Sequence, residues 1–239
     1  MTGHAGSDVP GWYGKISSLG DFAARRLAPP VQQVLDGWLS EVVAGSQQQL
    51  GGDWLQRYLA SPVQRFVLGP GLVPLGAESP WWFGVLMPSC DNVGRYFPLV
   101  VLQPRSAPPC ERFGLDHLEL WWARAAEAAL ETLADNVDVE RFDRALAELP
   151  PWPTVRAVPD WAAPLAAGAG AEVPVPGNCT PAELAGGLAA AAWQERLRGQ
   201  SGWWTWRPEA ADTACRIVPG LPSAQVFAAM LAGPAKLSG

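Results

Sequence analysis

Met87-Pro88-Ser89-Cys90-Asp91-Asn92-Val93-Gly94-Arg95-Tyr96-Phe97-Pro98-Leu99 is the stretch on which the reading of this chain turns. An apolar run from Trp81 to Met87 leads into it, and a second, from Tyr96 to Leu102, leads out. Both runs have the length of buried strands. The polar residues between them, Ser89, Asp91, Asn92 and Arg95, therefore sit at strand ends, where a rigid scaffold presents a reachable loop and where recognition or chemistry tends to be found.

Upstream, Gly11 to Ile16 reads as a strand followed by a Ser17-Ser18 turn. Gly20-Asp21-Phe22 then opens a short helical turn through Leu27, with Asp21 as its N-cap, and Pro29-Pro30 stops it. Val31, Val34, Leu35, Trp38, Leu39 and Val42 recur at helical spacing, with Pro30 tolerated in the first turn. Gly51-Gly52 ends that helix, Asp53 is placed to cap Trp54 to Leu59, and Val63 to Leu68 reads as a strand before the Gly69-Pro70-Gly71 turn.

Downstream, Asp116 and Glu119 have capping-box spacing ahead of a helix with Leu118, Trp122, Ala125, Ala129 and Leu133 on one face. Asp138 is placed to cap a further helix carrying Val139, Phe142, Leu146 and Leu149. Residues 150–180, rich in Pro, Ala and Gly and without periodicity, read as a long, partly extended loop. Thr180-Pro181-Ala182-Glu183 is a helix start, for a helix running to about Arg198. Two strand-like runs, 203–206 and 215–218, and a last helix from about Ser223 to Leu231 complete the chain. Two strands and two helices in this last part are marginal for an independent core, so these strands are expected to join the main sheet. The expected organisation is a flexible terminus over 1–10 and one domain over 11–239.

Tryptophan occurs thirteen times, with adjacent pairs at Trp81-Trp82, Trp121-Trp122 and Trp203-Trp204. Neighbours in a strand face opposite sides, so a Trp pair there calls for a sheet covered on both faces. In a helix such a pair widens the apolar stripe. Core filling is the ordinary reading, and an exposed aromatic patch the alternative.

Composition excludes several functions. The net charge is −6, the isoelectric point is near 4.9, and Arg25-Arg26 reads as an isolated pair, so the basic stripe of a nucleic-acid binder is missing. The same balance argues against an anionic membrane surface. Neither a signal peptide nor a spanning segment is visible, so a cytoplasmic protein without membrane insertion is expected. Four dispersed cysteines and two histidines, His4 and His117, lack metal-ligand spacing. No metal and no cofactor are expected, and unpaired thiols suit a reducing compartment.

Three candidate chemistries remain. Gly11 to Lys15 lacks the Walker spacing, so nucleotide binding is not supported. Ser89 and Cys90 are nucleophile types outside a GxSxG elbow, and only His4 or His117 is available as a base. Ser89 as a cap of the turn after Pro88 is the plainer reading. Asp91 and Arg95, four residues apart, can pair to pin the loop, can form a recognition surface, or can leave Asp91 as a general base without a partner acid. Lys15 and Asp21 join them if the two loops meet at one edge of the sheet.

Gly11-Trp12-Tyr13-Gly14-Lys15-Ile16 with Gly20-Asp21-Phe22, the 87–99 stretch, Ser61-Pro62 to Phe66, Trp203-Trp204-Thr205, and Gly220-Leu221-Pro222 with Phe227 together resemble the TagF/ImpM family, accessory proteins of bacterial type VI secretion. The resemblance is densest over 11–105, and Ser17 stands where the family commonly has proline. It implies an α/β fold, a single layered domain with a central mixed or antiparallel sheet flanked by helices. It also implies a cytoplasmic post-translational regulator, usually a repressor, of secretion-system assembly. The implied partner is a forkhead-associated scaffold protein, with membrane-complex components as further candidates. No phosphatase domain follows, so dephosphorylation is not expected. Lys15, Asp21, Ser89, Asp91 and Arg95 are the residues matched to a shared surface or its support, with no catalytic residue among them. A hydrolase using Cys90 or Ser89 is the alternative.

Overall fold

The structure, a computed structural model, describes residues 9–75, 78–109, 112–134, 137–152, 159–166, 172–205 and 213–233. Its frame is an antiparallel sheet of strands β1 (Gly11–Gly14), β2 (Ala23–Arg25), β3 (Gln64–Leu68), β4 (Trp81–Met87), β5 (Leu99–Arg105), β6 (Gln200–Thr205) and β7 (Cys215–Pro219). Among the described residues these form one sheet in the order β2-β1-β5-β4-β3-β6-β7. The strands after residue 180 therefore extend the main sheet. This α/β architecture matches the expected fold class, and the sheet is antiparallel rather than mixed.

Alternation along the strands divides two cores. On one face Trp12, Val67, Trp81, Phe83, Val85, Leu99 and Val101 pack with α3 (Arg112–Glu131) and α4 (Val139–Ala147). On the other, Tyr13, Phe66, Trp82, Leu86, Val100, Leu102 and Trp203 pack with α1 (Pro29–Leu50), α2 (Trp54–Ala60) and α7 (Ala224–Ala232). Trp81 and Trp82 thus serve opposite cores, as the pleat requires. On α3, Trp121 and Trp122 are both buried, and Trp122 Nε1 donates to the Gly84 carbonyl at 3.0 Å. A Cβ on Gly84 would stand 2.4 Å from the Phe66 ring, so glycine leaves room for that side chain.

Some local readings are corrected. Residues 23–25 form β2 and not part of a helical turn, because pairing with β1 (Trp12 opposite Arg25) outweighs local preference. Asp21 consequently caps no helix. β5 starts at Leu99, three residues later than read, and reaches Arg105 through Pro104. Proline is tolerated because β1 pairs only as far as Leu102, which leaves that side of Pro104 without a strand neighbour. α3 begins a turn before Asp116, so the Asp116–Glu119 capping box is not formed. Asp53 pairs with Arg57 at 3.4 Å and makes no side-chain cap.

Two predicted caps are made: Asp138 accepts from the Arg141 amide, and Thr180 and Glu183 form a capping box on α6 (Pro181–Leu197). Within the stretch read as a loop, Ala162–Ala166 is a short helix, α5. Trp161, just before it, seats on Gly187 of α6, where a Cβ would lie 2.6 Å from the indole. Residues 1–8, most of the terminus read as flexible, lie outside the described residues, and Pro10 is buried. Among the described residues no helix is long and apolar enough to cross a membrane.

Candidate functional site: two loops joined at Asp91

The site starts where β1 ends. Gly14 has φ +139°, and a Cβ there would lie 2.1 Å from the Pro98 carbonyl oxygen. Glycine is needed both for that dihedral and for this approach. The crossing carries the chain after β1 against the loop between β4 and β5.

Asp91 joins the two segments. Its Oδ2 accepts from Lys15 Nζ at 2.7 Å and from Arg95 Nε at 2.6 Å. Its Oδ1 accepts from the Val93 and Arg95 amides at 3.1 and 2.8 Å. Both carboxylate oxygens are thereby satisfied at a residue only 3% exposed. Burial pushes the Asp91 carboxyl up, but the hydrogen bonds from Lys15, Arg95 and Val93 outweigh it and hold the group well below the usual carboxylate range.

Further bonds close the gap. The Asn92 amide donates to the Leu19 carbonyl at 3.0 Å, Arg95 Nη2 donates to the Gly20 carbonyl, and Ser89 Oγ donates to the Lys15 carbonyl at 2.8 Å. Tyr58 of α2 donates its hydroxyl to the Ser89 carbonyl and accepts from the Ser89 amide, both at 3.0 Å. Lys15 Nζ lies 4.8 Å from the Phe22 ring centre, and Phe22 meets Phe97 edge-on with centroids 4.8 Å apart.

Lys15, Ser89, Asp91 and Arg95 are therefore brought into one cluster. The pairing of Asp91 with Arg95 is present, with Lys15 as a third member. Ser89 staples β1 to the loop, which corrects its reading as a turn cap. Asp21 stands apart: its exposed carboxylate accepts from the Phe22 amide next to it. What reaches solvent is a ridge of Gly20, Asp21, Phe22, Asn92, Val93 and Gly94, with Phe22 45% and Val93 69% exposed.

The nucleophile types are poorly set for catalysis. Burial and then the Asp91 charge push the Cys90 thiol up, with Lys15 opposing, whereas a reactive cysteine needs a lowered value. The Ser89 hydroxyl proton is given to a main-chain carbonyl, which is no base. His117 Nδ1 lies 2.9 Å from the Phe113 carbonyl one turn back on α3. His4 lies outside the described residues. Among the described residues no group of three or more His, Cys, Asp or Glu is placed to hold a metal ion.

Sequence reasoning missed three partners. Tyr58 lies in the run read only as a short helix, and no local signal marks its bond to Ser89. Asp36 of α1 accepts from the Tyr13 hydroxyl. Arg25-Arg26, read as isolated, holds Asp143 of α4: Arg25 Nη1 at 2.7 Å and Arg26 Nη2 at 2.6 Å. Trp12 Nε1 also donates to Asp143, at 2.9 Å. The adjacent arginines were the available signal.

An antiparallel sheet covered on both faces, with two distant loops locked into one exposed ridge, defines a single-sheet α/β protein. Residues 11–149 match the TagF N-terminal domain, a type VI secretion system-associated family, and the chain belongs to that family. The crystal structure of PA0076 from Pseudomonas aeruginosa PAO1 is similar at 33% sequence identity and a TM-score of 0.72, over 93% of each chain. No curated protein matches the sequence.

Proposed function

We propose that this protein is a non-catalytic regulator of type VI secretion assembly, acting as a repressor in the cytoplasm by binding a forkhead-associated scaffold protein. Membership of a secretion-associated family supports the setting. The observation that carries the docking reading is the junction at Asp91. Three hydrogen bonds from Val93 and Arg95 shape the 88–97 loop around one buried carboxylate, and the bonds Lys15–Asp91, Asn92–Leu19, Arg95–Gly20 and Ser89–Lys15 hold that loop in fixed register with the 15–22 segment. A preorganised ridge of this kind lowers the ordering cost of association. In this reading Lys15, Ser89 and Asp91 support the surface, while Phe22, Val93, Asp21 and the outer face of Arg95 meet the partner.

The test is a calorimetric titration against the scaffold, phosphorylated and unphosphorylated, with wild type and Val93→Glu. Saturable binding by wild type, weakened at least tenfold by Val93→Glu, is the expected result. Absence of binding to either scaffold form would sink the reading. Catalysis is not part of this function, so Cys90 is expected to react with iodoacetamide more slowly than a free thiol at neutral pH. Faster labelling would revive the thiol hydrolase.

A further inference from the structure

Beside the ridge lies a second feature, which shares Phe22 with it. Tyr13, Phe22, Pro29, Gln32, Gln33 and Asp36 line an open groove of about 410 Å³ between the first turns of α1 and the outer edge of the sheet. The Tyr13 and Phe22 rings are parallel to within 8°, with centroids 6.1 Å apart. Among the described residues of the lining, Asp36 alone is charged. Nearby cations are already engaged: Lys15 pairs with Asp91 and its Nζ lies 4.8 Å from the Phe22 ring centre, and Arg25 and Arg26 hold Asp143, on the α4 side of the sheet. β2 is the outermost strand, and among the described residues no strand pairs with its outer side. Ala24 stands opposite Tyr13 in the β1–β2 register, and both pack on the α1 side.

We infer that this groove receives an arginine side chain carried by an extended segment of a partner protein laid along β2. Three properties select that occupant. A strand added to a free edge makes main-chain bonds and sends alternate side chains to one face, here the face of Tyr13 and the groove. The exposed Phe22 ring, with the Tyr13 ring buried behind it, attracts a cation, and a planar guanidinium lies flat on such a ring better than an ammonium does. Asp36 supplies the opposite charge, and the Gln32 and Gln33 amide oxygens can accept the remaining N–H groups. An anionic segment would meet Asp36 unpaired, in a chain of net charge −6. The inference deepens the docking reading by giving the chemistry of the segment recognised, and rests on it only for the partner being a protein of the secretion system.

The experiment is an NMR titration of the full chain, following the Gln32 and Gln33 side-chain amides. The probe is a short capped alanine peptide with a central arginine, and the same peptide with glutamate serves as control. Asp36→Asn keeps an acceptor for the Tyr13 hydroxyl while removing the charge, and Phe22→Leu removes one ring. Saturable shifts with the arginine peptide, weakened about tenfold by Asp36→Asn and also by Phe22→Leu, are expected. No saturation in the millimolar range, equal binding by the variants, or equal binding of the glutamate peptide overturns the inference. Peptide saturation without scaffold binding removes the docking reading alone, and scaffold binding without peptide saturation removes the groove alone.

Discussion

Asp91 is buried with all its acceptors filled, and on the proposed reading it supports the surface rather than meeting the partner, which decides which substitutions inform. A buried carboxylate with four donors cannot be reversed in charge without leaving Lys15 and the amides of the loop unpaired. Tyr58→Phe is a cleaner probe of the same junction. It removes one hydroxyl that serves both main-chain groups of Ser89. A loss of about 1–3 kcal/mol in denaturant unfolding is expected, and an unchanged midpoint would show that the junction adds nothing to stability. Acid tests the carboxylates. Burial raises the Asp143 carboxyl, but hydrogen bonds from Arg26, Arg25 and Trp12 win and hold it below the usual range, as happens at Asp91. A depressed folded value means that the unfolded chain binds protons first on acidification. The stabilisation is therefore complete above the unfolded carboxylate value of about 4 and lost as pH falls through the folded one. Melting temperature should fall from pH 4 towards pH 2, less steeply for Asp143→Asn than for wild type. Equal slopes would contradict the assignment.

At the scale of elements, the crossing of β1 under the entry to β5 is what places Lys15 beside Asp91. Gly14→Ala would force a side chain into the left-handed region and against the Pro98 carbonyl, costing about 2 kcal/mol or more. Calorimetric melting would register this, and a variant as stable as wild type would mean that the crossing is slack. What could be read from sequence follows the same division. Trp81–Met87 was legible to the residue because an uninterrupted apolar run between polar turns has few other folds. α1 was legible from its apolar spacing and α6 from its capping box. β2 was not, since three residues carry too little pattern and owe their conformation to β1. The Pro104 segment of β5 was obscured because proline counts against a central strand unless the neighbour is known to stop short. In the site, Asp91 with Arg95 was visible from spacing alone. Lys15 was placed with them only as one alternative, because its bond spans 76 positions. Tyr58 and Asp143 were invisible for the same reason.

For the whole molecule, two cores on opposite faces of one sheet make a rigid plate, and the exposed ridge stands at one end of it. The helices cover the faces and leave the β4–β5 loop in the open. Substitution on the ridge should therefore change binding without changing stability, whereas substitution at the junction beneath it should change both. Val93, whose side chain makes no hydrogen bond and is mostly in solvent, separates the two. The measurement that tests this most directly is the titration of the forkhead-associated scaffold into wild-type protein and into Val93→Glu of verified equal melting temperature. The account predicts saturable binding by wild type and at least a tenfold loss in the variant. Equal affinity of the two proteins would contradict it.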